Sequence, residues 1–76
     1  MKIILNVIFE NEGFEFTINS LCVPMVGDKI RLNVDNYSKY EKERLQHKDT
    51  FTITEVIYVI ETDCVDHVYI EAEEKI

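Results

Sequence analysis

The sequence predicts a mainly β protein: a small five-stranded barrel with one short helix between its third and fourth strands. Three observations lead there. Apolar residues recur at every second position over most of the chain, the connections between these runs are short, and only residues 37–48 break the period of two. At 76 residues, 46% hydrophobic with two Gly and one Pro, the chain reads as a single globular domain, 1–76. A core this small is thin, and such domains often gain support from a disulfide, a metal or self-association.

The first strand carries Ile3, Leu5, Val7 and Phe9 on one face, with Ile4 and Ile8 on the other. Asn11-Glu12-Gly13 is expected to turn the chain, with Gly13 supplying a positive φ, before Phe14, Phe16 and Ile18 resume the alternation. Pro24 ends the short apolar stretch Leu21-Cys22-Val23, because proline has no amide to give a ladder. After a turn at Gly27-Asp28, the residues Ile30, Leu32 and Val34 alternate with Lys29, Arg31 and Asn33 in a third strand.

Ser38 and Glu41 have the spacing of a capping box, so residues 37–48 are read as a short helix with a long charged loop as the alternative. Glu41 with Arg44 and Glu43 with His47 have the spacing to pair along it. Thr50–Thr54 begin a fourth strand whose run Val56-Ile57-Tyr58-Val59-Ile60 is apolar on both faces, which predicts a place in the middle of the packing. Glu61-Thr62-Asp63 turns the chain into a last strand over residues 65–73, with Val68, Ile70 and Ala72 facing in. Closing such a sheet buries its apolar face and removes its edges. An SH3-like barrel is favoured by the Pro24 to Asp28 turn and the closely spaced strands. An OB-like barrel, which places its helix between strands three and four, is the runner-up.

The formal charge is −7, and it is uneven. Six basic side chains, Lys29, Arg31, Lys39, Lys42, Arg44 and Lys48, face four carboxylates across residues 28–48. Across residues 49–76, eight carboxylates face Lys75 alone. Phosphate backbones select the opposite balance, so direct nucleic-acid binding is disfavoured. Met1-Lys2-Ile3-Ile4-Leu5 has the order of a leader, but Asn6 and Glu10 interrupt it and no small-residue cleavage site follows. It is read as the first strand, no membrane segment is expected, and the protein is placed in the cytoplasm with reduced thiols.

Cys22, Cys64 and His67 are the candidate metal ligands, since thiolate and imidazole are zinc donors. No C-x-x-C pair supports them, and two buried thiols beside a surface histidine is the plainer reading. Cys64 with His67 and Asp63 or Asp66 is a poor nucleophilic set, because no oxyanion-stabilising element adjoins it. No catalytic residue, metal or cofactor is assigned. Among the aromatics, the phenylalanines hold inward phases, whereas Tyr37 and Tyr40 lie near Lys42 and Arg44. These four form the expected interaction surface, since Tyr and Arg are enriched at interface centres.

Pro24-Met25-Val26-Gly27-Asp28-Lys29-Ile30, followed by Phe51–Tyr58 and Val68-Tyr69-Ile70, resembles small bacterial and phage-type β-proteins with a P-x-x-G-D-x-I turn. Residues 36–49 look like an insertion in that pattern. The resemblance implies an SH3-like barrel of unknown function and carries over no catalytic residue. The expected function is a non-enzymatic protein-interaction or structural accessory module, with a protein partner or self-association. One alternative is an acidic nucleic-acid mimic that inhibits a DNA-binding protein, which requires Glu55, Glu61, Asp63, Glu71 and Glu73 in a row on one face. Another is a minor metal or thiol site at Cys22, Cys64 and His67.

Overall fold

The alternation read from the sequence becomes one curled, five-stranded sheet in the computed structural model, which describes residues 1–74. The strands are β1 (Lys2–Phe9), β2 (Glu12–Asn19), β3 (Lys29–Arg31), β4 (Thr50–Glu61) and β5 (Cys64–Glu73). Their order across the sheet is β2-β1-β5-β4-β3. Two antiparallel hairpins, β1–β2 and β4–β5, are joined by a parallel pairing of β1 with β5. The protein is therefore mainly β, with the sheet bent into a half-barrel around its apolar face. The helix α1 (Lys39–Arg44) lies between β3 and β4, as expected.

The concave face holds the core. Ile3, Leu5, Val7 and Phe9 of β1 meet Phe14 of β2, Val68, Ile70 and Ala72 of β5, and Phe51 and Ile53 of β4. Leu45, at the C-cap of α1, is wholly buried against them, and Tyr37 joins from the segment before the helix. Burying a side chain such as Leu45 is worth roughly 1.5–3 kcal/mol, which is how a helix of six residues stays docked.

The turns obey local rules that differ in detail from the sequence expectation. Glu10 and Asn11, with φ of 50° and 65°, form the two-residue β1–β2 turn, so the positive φ falls before Gly13 rather than on it. Gly13 is instead a strand residue opposite Ile8, where a Cβ would stand 2.8 Å from Asn6 Oδ1. A side chain here would require the Asn6 amide to shift, and no turn geometry demands the glycine. Gly27 does need its φ of 96°, in the turn that Met25 and Asp28 close with two hydrogen bonds.

The capping box forms in full. Ser38 Oγ accepts the Glu41 amide at 3.1 Å, and Glu41 Oε1 accepts the Ser38 amide at 2.8 Å. The helix stops where Gln46 and His47 take φ of 54° and 58°. His47 is thus beyond the helix and does not pair with Glu43. β3 is shorter than expected, because Asn33 Oδ1 accepts the Asp35 amide and turns Val34–Asn36 into a single 3-10 turn. Among the described residues, no helix is long and apolar enough to cross a membrane.

Candidate functional site

A five-residue apolar run should sit inside a fold, and here only its first residue, Val56, packs against the core. β3 pairs with β4 only over Thr50–Thr52, and β1 pairs with β5 only over Val68–Glu73. Beyond these ladders, Val59–Glu61 of β4 pair only with Cys64–His67 of β5 and form a projecting two-stranded tip. Glu55–Tyr58 are the outer edge of a three-stranded β4–β5–β1 section, and residues 55–67 together make the arm. The molecule measures 41 × 24 × 21 Å, elongated as such an arm requires. A bulge at Thr54 marks its root, where the Thr54 hydroxyl donates to the Glu71 carbonyl at 3.2 Å.

The predicted central strand is therefore corrected. Ile57, Tyr58 and Ile60 are 44%, 52% and 63% exposed, whereas Phe51 and Ile53 earlier in β4 are buried. The pairings Tyr58 with Val68 and Ile60 with Val65 put these side chains on the continuation of the concave face. Ile57 opposite Tyr69 and Val59 opposite His67 lie on the convex face. Leu21, Met25 and Val26, in the loop between β2 and β3, are exposed too. A shallow cavity of about 310 Å³ lined by Val23, Pro24, Met25, Val26, Val56 and Tyr58 separates that loop from the arm.

The residues expected to form the interaction surface divide. Tyr37 is only 6% exposed, packs on Phe16 and donates its hydroxyl to the Lys48 carbonyl at 2.9 Å, so it belongs to the core. Burial, with the carboxylates of Asp49 and Glu41 adding to it, pushes that hydroxyl's pKa up. Tyr40 and Arg44 reach the surface but are engaged within the protein. The Tyr40 hydroxyl donates to Glu12 Oε2, and Arg44 Nε and Nη2 both donate to Glu12 Oε1, at 2.9 and 2.8 Å. The Arg44 guanidinium lies 5.7 Å from the Tyr40 ring centre. Lys42 is half-exposed on the same helix. These bonds pin α1 to β2 and hold the Glu12 carboxyl below its usual range.

Cys22 and Cys64 are both exposed free thiols, which corrects the expectation of buried ones. Cys22 lies in the loop after β2, while Cys64 opens β5 at the tip of the arm, its Sγ 3.5 Å from the Glu61 carbonyl. His67 Nδ1 is bonded to Asp66 Oδ2 at 2.7 Å. Among the described residues, no group of three His, Cys, Asp or Glu side chains could hold a metal ion. The metal site drawn from Cys22, Cys64 and His67 is not assembled.

The acidic residues are split as well. Glu55 faces Glu71 across the β4–β5 ladder on the convex face, with Glu73 two residues further along β5. Glu61 is the last residue of β4 and Asp63 lies in the following turn, at the far end of the arm. Glu55, Glu71 and Glu73 thus share the convex face near the root of the arm, and Glu61 and Asp63 stand apart from them at its tip. A second cavity, about 210 Å³, opens on the concave face among Ile3, Leu5, Ile18, Ile30, Leu32 and Ile53, with Arg31 near its mouth. It lies between β2 and β3, the two edges a closed barrel would join. Comparison with protein families, with curated proteins and with solved structures finds no match to the chain.

Proposed function

We propose that the protein is a non-enzymatic interaction module of the cytoplasm that works through the β4–β5 arm. The observation that carries this reading is that Ile57, Tyr58 and Ile60, within the most apolar run in the chain, are exposed along the unpaired outer edge of β4 and its projecting tip. Contiguous apolar surface on a soluble domain marks a binding site more often than an isolated exposed leucine does. An unpaired strand edge adds backbone donors and acceptors to that surface.

The arm takes over the role first given to Tyr40, Lys42 and Arg44, since the Tyr40 hydroxyl and the Arg44 guanidinium are already partnered by Glu12. The test compares affinity capture by the wild-type protein and by the double variant Tyr58→Lys, Ile60→Lys. Both side chains are more than half exposed, so the variant should melt within about 0.5 kcal/mol of the wild type. It should lose the proteins that the wild type retains. Identical retention by a folded variant would end the proposal.

A further inference from the structure

We propose that the free edge of β4 accepts an extended segment of another protein, apolar at alternate residues and flanked by lysine or arginine, as a sixth strand. This inference rests on the arm being the interaction surface, and it names the chemistry of the partner.

Three features converge on that occupant. First, β3 leaves β4 after Thr52, with only Ile53 still bonded to the turn through Gly27 and Asp28. From Thr54 to Glu61 the outer edge of β4 has no ladder partner among the described residues. A segment laid there would continue the line of β3 and gain main-chain hydrogen bonds, the usual basis of strand addition. Second, the cavity between Val23–Val26 and Val56 and Tyr58 adjoins this edge on the concave side. Strand side chains alternate between faces, so every second residue of the incoming segment would point toward it.

Third, the charge around the edge has one sign. Between Thr54 and Glu71 there are five carboxylates, Glu55, Glu61, Asp63, Asp66 and Glu71, and no lysine or arginine. Such a rim attracts a basic segment and repels an acidic one. It also weighs against a second copy of this chain. An antiparallel pairing that lays Val56–Ile60 fully on itself is centred on Tyr58, and it sets Glu55 of one copy opposite Glu61 of the other. Like charges facing each other across a ladder destabilise it. Each copy also carries a charge of −7. The arm is thereby guarded against its own kind and open to a basic strand.

The experiment uses three short labelled peptides with the intact protein, read by fluorescence anisotropy and by backbone amide shifts. One alternates valine with lysine, the second replaces lysine by glutamate, and the third is the lysine peptide N-methylated at alternate amides. The lysine peptide should bind and shift the amides of residues 54–61. N-methylation, or the variant Glu55→Lys, Glu61→Lys, should each weaken binding by about tenfold or more. No binding of the lysine peptide, equal binding of the glutamate peptide, or indifference to N-methylation would each overturn the proposal. So would a dimer in sedimentation that the Tyr58→Lys, Ile60→Lys variant abolishes, because the second copy would then be the occupant. If that variant loses its captured proteins while the lysine peptide fails to bind, the arm keeps its role and only this partner class is lost.

Discussion

Glu12 begins β2 yet decides where the helix sits, because it accepts from both Tyr40 and Arg44 on α1. The hydrogen bond from Tyr40 and then those from Arg44 lower its pKa, and the same contacts raise those of Tyr40 and Arg44. A carboxyl that binds its proton less readily in the folded protein than in the unfolded chain stabilises the fold above the ordinary glutamate range. That contribution is lost as pH falls through the lowered native value. Thermal melting across an acid pH series should therefore show stability declining there. Glu12→Gln should be less stable at neutral pH and show a shallower acid decline, since its side chain has no proton to take up.

At the scale of elements, α1 stands on one cap and one anchor. Ser38→Ala should cost about 1 kcal/mol by removing half of the capping box. Leu45→Ala should cost about 2–5 kcal/mol by opening a void under the helix. Chemical denaturation of each variant measures both. If Leu45→Ala proved as mild as the cap mutation, the helix would not be docked as described. The capping box was legible from Ser38 and Glu41 alone because its chemistry is local. So were the inward residues of β1, β2 and β5, since alternation against solvent identifies a buried face directly. The run Val56–Ile60 misled for a physical reason. Hydrophobicity on both faces reports that a strand is covered by something, and it does not say whether the cover belongs to the same chain. Tyr37 misled in a related way: its nearness in sequence to Lys39 and Lys42 suggested surface, but it precedes the helix and points under it. The exposure of Cys22 and Cys64 depends on a loop and on the length of the arm, neither of which a period of two encodes.

Across the whole molecule, the division between core and arm predicts two stabilities in one sheet. Backbone amides of β1 and the Val68–Ala72 half of β5 lie in a doubly paired centre. Those of residues 57–66 have at most one neighbouring strand and side chains open to water. Hydrogen exchange should separate them, the central amides exchanging through global unfolding and the arm through cheaper local opening. Binding of a strand to β4 should slow the arm amides and leave the central ones nearly unchanged. Uniform protection in the free protein would contradict the division. Tyr37 and Leu45 cover part of the concave face that a further strand would protect in a fully closed barrel.

The parallel pairing of β1 with β5 has a consequence for how the chain is made. The strand at the centre of the sheet is the last of the five in chain order, so a growing polypeptide holds β1–β2 and the helix before the piece that unites them exists. The first hairpin must wait with one edge of β1 unpaired until β5 arrives and zips between β1 and β4. Contacts this distant along the chain slow folding relative to a helical protein of equal length. During synthesis, that unpaired edge of β1 is the surface on which a chaperone would act.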